Sequence, residues 1–420
     1  MPTFRFNRYS PGTGANSTQY FKQFYDDIFT NAVQSETFIK GTSTAGEGAA
    51  LFGSNLTYPK NALPLLPPIS GRIDALSVTH LNLKIMSVTE LNENAVGFGV
   101  AFTSGSTAFA DYLTRRSDKM FGSVEDDILL SGKGNDLIVA NDGDDLLFGG
   151  DGRDTLNGGE GDDGLISGGG GGTMIGGNGN DVIIADIDAS ANSIFGGNGD
   201  DKLHGWSGRD MLSGGNGKDY ITGGDLDDRL FGGAGDDYMF GNDGNDRLIG
   251  GDGIDLLAGI DGNDYLDSGA GMDHLNGGIG NDTLIGGSGN DFFIGDDGND
   301  LLFGGTGTDT LGGGAGVDQF IFNSVLRVTN VDEVQDFEVN IDKIVLDNDI
   351  FTALGITGPL AAGRFKIGAA ATDANDRIIY NDVTGELFYD KDGTGGAAQI
   401  KFAVIDPVRL LDAGDFRVIG

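Results

Sequence analysis

Aspartate recurs through the middle of this 420-residue chain at a spacing of nine residues. One run places it at Asp127, Asp136, Asp145, Asp154, Asp163 and Asp181. A second runs through Asp201, Asp210, Asp219, Asp228, Asp237, Asp246, Asp255, Asp264, Asp273, Asp282, Asp291, Asp300, Asp309 and Asp318. Twenty of the twenty-one registers hold aspartate, and Gly172 is the exception. Carboxylates at a fixed spacing, with no imidazole or thiolate among them, suit a hard cation such as calcium or magnesium. Cysteine is absent, which removes disulfides, thiolate zinc sites, iron–sulfur clusters and cysteine nucleophiles. The aspartates therefore read as ligands for several Ca²⁺ ions.

The elements that must position them follow from the rest of the unit, G-G-x-G-x-D-x-U-x with U apolar, from about Gly122 to Phe320. Gly149-Gly150-Asp151-Gly152-Arg153-Asp154-Thr155-Leu156-Asn157 and Gly277-Gly278-Ile279-Gly280-Asn281-Asp282-Thr283-Leu284-Ile285 are full copies. U is apolar in every register, from Leu129 through Met174 to Phe320. Glycine permits positive φ and close backbone approach, so G-G-x-G turns sharply with its carbonyls beside the carboxylate. The x-U-x that follows is a short strand with U pointing inward. One unit cannot bury its apolar residue alone. Two units per turn, stacked, bury a ladder of Leu, Ile, Phe and Met between two parallel sheets. The expected fold is all-β: a parallel β-roll of roughly ten turns about 4.8 Å apart, a rod on the order of 50 Å long.

The irregular copies carry their own expectations. Gly172 replaces aspartate while Met174 keeps the apolar ladder, which predicts a turn that packs but binds its cation weakly. Between the two runs the spacing breaks, and Ala185 to Phe195 reads as a degenerate turn with a two-residue bulge. Glu125 and Leu226 stand where the unit asks for glycine.

Charge and composition narrow the function. The chain holds 64 Asp+Glu against 26 Lys+Arg, for a net charge of −38, and 76 glycines. Nucleic acid and anionic lipid surfaces would repel it, so neither is an expected partner. The first residues, Met1-Pro2-Thr3-Phe4-Arg5-Phe6, lack the apolar core of a signal peptide. No apolar run is long enough to span a membrane.

The nonapeptide resembles the calcium-binding repeat of RTX proteins, and residues 122–320 resemble their parallel β-roll. The resemblance implies that aspartates and loop carbonyls of repeats i and i+2 share each ion. Asp246 and Asp264 would serve one ion, and Asp255 and Asp273 another on the opposite edge. Residues 321–420 resemble the C-terminal region of serralysin-type RTX proteins. That likeness rests on Val331-Asp332-Glu333-Val334-Gln335-Asp336-Phe337, Asp342-Lys343-Ile344-Val345-Leu346, Asn375-Asp376-Arg377-Ile378-Ile379-Tyr380 and Leu387-Phe388-Tyr389-Asp390-Lys391-Asp392-Gly393. Read from the residues alone, these are β segments joined by Asp/Gly turns that cap the roll. The tail Asp415-Phe416-Arg417-Val418-Ile419 resembles the terminus such proteins present to a type I exporter, and a short last strand has the same pattern. An extracellular location, reached without an N-terminal signal, is what this resemblance implies.

Residues 1–118 form a separate region, expected to be a small mixed or mostly β domain. Tyr20 to Ile28 fits an amphipathic helix, Leu63 to Pro68 a linker, and Leu81/Leu83/Ile85 and Phe98/Val100/Phe102 strands. The domain reading is thus 1–118, a roll over 119–320, and a cap over 321–420.

Enzyme signatures are missing. Serralysins carry a zinc protease, which needs H-E-x-x-H, whereas His80, His204 and His274 lie far apart. His80 reads as a strand histidine, and His204 and His274 as outward-facing on a solvated strand face. Matches to G-x-G-x-x-G arise from the repeat and carry no dinucleotide meaning. Trp206, the one tryptophan, reads as a packed or exposed aromatic before a sugar platform. The sequence thus points to a non-enzymatic calcium-binding protein. Its alternatives are a carbohydrate-binding or polysaccharide-modifying protein that meets extracellular polysaccharide, and an adhesin or matrix protein.

Overall fold

The structure, a computed structural model, describes residues 117–186 and 190–420. The expected N-terminal domain, with its helix, strands, linker and His80, lies outside the described residues.

From Lys119 onward the chain winds between two parallel sheets. Strands such as Leu137–Asp142, Asp154–Glu160 and Arg247–Asp252 belong to one sheet, and Ile128–Lys133, Leu146–Asp151 and Leu256–Asp261 to the other. Each strand pairs with the one eighteen residues later: Leu147 aligns with Leu165, and Leu248 with Leu266. Two nonapeptides therefore make one turn, as the stacked-repeat argument requires. Many strands are longer than the expected x-U-x. Leu256–Asp261 covers six residues, because the first glycines of the next loop stay in the ladder of hydrogen bonds.

The U residues are the core. Leu129, Leu147, Leu212, Leu248, Leu266 and Leu302 are 0% exposed, and their strand neighbours are half-buried or exposed. A period of two drives this alternation, and a one-residue slip would turn the ladder outward. One large apolar side chain per nine residues is a thin core.

The irregular region restacks rather than breaking the roll. Gly172 aligns with Asn192 and Val182 with Lys202, an offset of twenty instead of eighteen. The two extra residues are absorbed before Asn192–Asn198, which re-enters the sheet with Ile194 fully buried. The offset of twenty matches the two extra residues expected there, and Asn192 fills an additional sixth position that the spacing concealed.

The cap continues both sheets before closing them. Asp332–Val334 and Lys343–Asp347 stack in parallel on the last repeats. Ile400–Ile405 and Phe416–Ile419 stack in turn on those. Antiparallel pairs then follow, Ile378–Tyr380 with Glu386–Tyr389 and Glu386–Tyr389 with Ile400–Ile405. Change of direction and a covering layer are common ways to blunt a sheet end. The cap's core is aromatic: Phe351 lies 5.1 Å from Phe402 and 5.2 Å from Tyr389, ring centre to ring centre, both edge-on.

Candidate metal centre

All twenty predicted aspartates are buried, none more than 3% exposed. Stacking sorts them into two columns, one on each loop edge. One column runs Asp127, Asp145, Asp163, Asp181, Asp201, Asp219 and on to Asp309; the other holds Asp136, Asp154 and then Asp210 to Asp318. Within a column each aspartate N–H except that of Asp154, whose neighbour is Gly172, donates to Oδ1 of the aspartate on the next turn. Asp246 donates to Asp264 at 2.7 Å and Asp255 to Asp273 at 2.9 Å. One carboxylate oxygen is thereby satisfied.

The other is not. From Asp219 to Asp318, Oδ2 of each ladder aspartate is buried with no hydrogen-bond partner, and Asp136, Asp145, Asp154, Asp163, Asp181 and Asp201 share this state. A buried carboxylate oxygen left without a donor is costly, and a cation is the usual remedy.

Most of the orphan oxygens face a cradle at a glycine five residues before the aspartate, with Ser131, Ala140 and Ser268 taking that place before Asp136, Asp145 and Asp273. A Cβ added at Gly259 would collide with Asp264 Oδ2 and lie 2.6 Å from the carbonyl oxygen of Gly277. At Gly277 it would collide with Asp282 Oδ2 and lie 2.9 Å from the Gly295 carbonyl. The free carboxylate oxygen and a carbonyl of the following turn thus converge on one small space. The second and fourth loop positions take left-handed backbone, with φ of 122° at Gly251 and 145° at Gly253. Among the described residues no three Asp, Glu or His side chains gather around one point. Successive aspartates and the loop carbonyls between them form an all-oxygen set, which fits Ca²⁺.

The electrostatics agree. Burial pushes the Asp264 carboxyl up to about 8, with the charges of Asp246 and Asp282 adding to it and the Asp246 N–H opposing. Burial likewise raises Asp228 to about 8, and Asp255 and Asp145 to about 6. Desolvation and like charge both penalise the anion. A divalent ion between turns answers both.

The ladder is longer than the repeat. Asp118 donates its N–H to Asp136 Oδ1 at 2.7 Å, Asp309 to Asp332 Oδ1 at 3.2 Å, and Asp318 to Asp342 Oδ1 at 3.0 Å. Each added rung keeps only D-x-U, as in Asp332-Glu333-Val334, and lacks the glycine loop that drew the eye. The fifth position was missed as well. Asn245, Asn263, Asn281 and Asn299 form an exposed ladder in which each N–H meets the side-chain oxygen one turn before, as Asn263 does at 2.9 Å. The signal was the recurring N-D pair.

One expectation is corrected. His204 is not on a solvated face but 3% exposed, with the Trp206 ring edge-on at 4.3 Å, and burial pushes it down to about 4. The indole remains 38% exposed. His274 does face outward.

The comparisons agree with this geometry. Residues 114–147, 130–165, 139–174, 186–221, 222–257, 249–284, 258–293 and 285–320 match the family model of the RTX calcium-binding nonapeptide repeat (4 copies). No curated protein matches the chain. Among the described residues no helix is long and apolar enough to cross a membrane.

Proposed function

We propose that this chain, whose repeats make it an RTX calcium-binding β-roll protein, is exported unfolded and folds outside the cell when calcium fills its two aspartate columns. The observation that carries the reading is the row of buried Oδ2 atoms without partners. Asp246 and Asp264 hold one ion with loop carbonyls, Asp255 and Asp273 one on the other edge, and the remaining ladder aspartates repeat the arrangement. Calcium supplies positive charge and a cross-link between turns; the chain supplies preformed oxygens, a dry apolar ladder and glycine loops that admit the ion. On the order of a dozen ions would bring −38 to about −14. Ion binding is then folding free energy.

Export is supported by the serralysin-like segments of 321–420 and by the tail Asp415–Ile419. In the folded chain that tail is a strand, with Phe416 1% and Val418 2% exposed, so an exporter would read it before folding. The role is binding and scaffolding, not catalysis. A glycan-binding role is the second reading, favoured by Trp206, whose half-open ring is braced on His204.

The test is calcium titration of the full chain by circular dichroism, with elemental analysis after dialysis. A β signal that rises with calcium, falls with chelator and accompanies about a dozen ions is expected. A roll fully folded in excess chelator, or one or two ions per chain, would refute calcium-driven folding. Deletion of residues 360–420 should abolish export through a type I exporter; undiminished export would refute that route.

A further inference from the structure

The two aspartate columns are not equivalent. One is unbroken: the N–H to Oδ1 chain runs from Asp127 through Asp145, Asp163, Asp181 and Asp201 to Asp332. The other stops at Asp154 and resumes only at Asn192, which donates to Asp210 at 2.6 Å. The two neutral rungs, Gly172 and Asn192, are consecutive on this edge. Three successive inter-turn spaces therefore have one sixth-position carboxylate or none, where elsewhere on this edge they have two.

The neighbours reinforce the gap. The fifth loop position next to it holds Arg153 before, Arg209 after, and Gly171 and Ala191 between, where later turns of this edge carry Asp227, Asn245, Asn263, Asn281 and Asn299, with Val317 last. Arg209 pairs with Asp227 on the following turn at 3.0 Å, while Asp186, in the loop before Asn192, donates its N–H to Ser167 Oγ of the preceding turn at 3.0 Å. Sheet and core continue across it, with Met174 and Ile194 fully buried. The turns before and after are joined by backbone and packing on both sides, but by an unbroken aspartate column on one edge only.

We propose that this gap divides the roll into two calcium-loading blocks, so that the turns of residues 119–186 fold and unfold at a higher free calcium concentration than those of 210–320. The inference rests on the calcium reading above. In a stack held by nearest-neighbour contacts, a weakened junction is where partial unfolding stops. The shorter block has fewer ions and only one ion-bridged edge to lean on, so it releases first.

Asn192 is the residue that sets the gap. Its Oδ1 is buried without a partner, while Nδ2 donates to Ser190 O at 2.9 Å and Asp210 Oδ1 at 3.1 Å. Aspartate has the same shape, so Asn192→Asp adds a carboxylate facing Asp210 without demanding space. Gly172→Asp, which would also add a carboxylate on this edge, is not equivalent. Its Cβ would collide with the Asp154 carbonyl oxygen, and Gly171 beside it is left-handed at φ 73°, unlike any other described fifth position.

Hydrogen exchange of the full chain across a calcium titration tests this. The two segments should become protected at midpoints differing by about fivefold or more. In Asn192→Asp the midpoints should converge and one ion per chain should be gained. A shared midpoint in the unmodified chain overturns the proposal whether or not the variant folds. So does an unchanged ion count in a folded variant. Absence of calcium-dependent protection in both segments would overturn the calcium reading beneath it as well.

Discussion

Buried aspartates occur in the roll and in the cap that closes it, and they are held in opposite ways. In the cap, Asp376 Oδ2 accepts the Thr372 N–H at 2.7 Å, the Thr372 hydroxyl at 3.0 Å and the Asp373 N–H at 3.1 Å. Asp415 accepts from Asn340 and Asp412, and Asp390 from Asp392 and Gly393. Burial pushes the Asp376 carboxyl up, but these donors and Lys366 outweigh it and leave it below the usual carboxylate range. In the roll a ladder aspartate has one N–H donor on one oxygen and nothing on the other. Its carboxyl rises. The cap satisfies these carboxylates with backbone donors, whereas most ladder carboxylates of the roll keep one buried oxygen without a donor.

The cores differ in the same sense. The cap packs Phe322, Phe351, Tyr389 and Phe402 ring against ring. The roll offers one apolar residue per repeat, aromatic only at Phe293 and Phe320. Aromatic pairs add packing energy beyond their area, so the cap should be the part of the described chain least dependent on calcium.

The largest effect that would break this comparison is pH acting on the metal-free chain. An unfolded carboxylate titrates near 3.8, while Asp228 and Asp264 in the roll titrate at about 8 and Asp237, Asp246 and Asp300 at about 7. Between those limits the folded roll binds more protons than the unfolded chain, so its stability falls as pH rises. In chelator, the roll should gain β structure on acidification from about pH 8 to about pH 5. With calcium present the dependence should reverse, because protons compete for the same oxygens. Chelated protein that loses β signal on such acidification would contradict the orphan-carboxylate account.

A smaller effect separates core from ligand. Leu266 is 0% exposed in the apolar ladder. Leu266→Asp places a charge there without partner or ion and should cost about 3–5 kcal/mol, read as a lost calcium-induced β signal around Arg247–Asp252 and Thr283–Ile285. Full calcium-dependent folding of this variant would show that the ladder is not what the ions clamp.

Much of this was legible in the residues and some was not. The nine-residue period exposed the sixth-position aspartates and the apolar ladder because both repeat in sequence. The division into two edges followed from two repeats to a turn, but which irregular positions fall on the same edge did not, because the break in spacing hides how they stack. Gly172 and the irregular stretch after Ile184 looked like separate flaws; only stacking places Gly172 and Asn192 one above the other. The burial of His204 depends on Trp206 turning back over it, which no periodicity encodes. Asp118, Asp332 and Asp342 were hidden for a simpler reason, since D-x-U without glycines is too short a pattern to stand out.

The smallest prediction sets one aspartate from each region against the other. Asp264→Asn keeps the shape and the acceptor for the Asp246 N–H but removes a buried charge that burial already disfavours. In chelator the variant should be more stable by about 1 kcal/mol, the scale of one hydrogen-bonding group. In calcium it should bind more weakly, roughly tenfold or about 1.4 kcal/mol. The sign therefore changes with the metal. Asp376→Asn removes a charge that several donors favour, so it should lose about 1 kcal/mol in both conditions. Denaturant unfolding of both variants, with calcium and with chelator, reads the four values. If Asp264→Asn destabilises the metal-free chain as Asp376→Asn does, the ladder carboxylates are satisfied by protein alone, and the distinction between roll and cap falls.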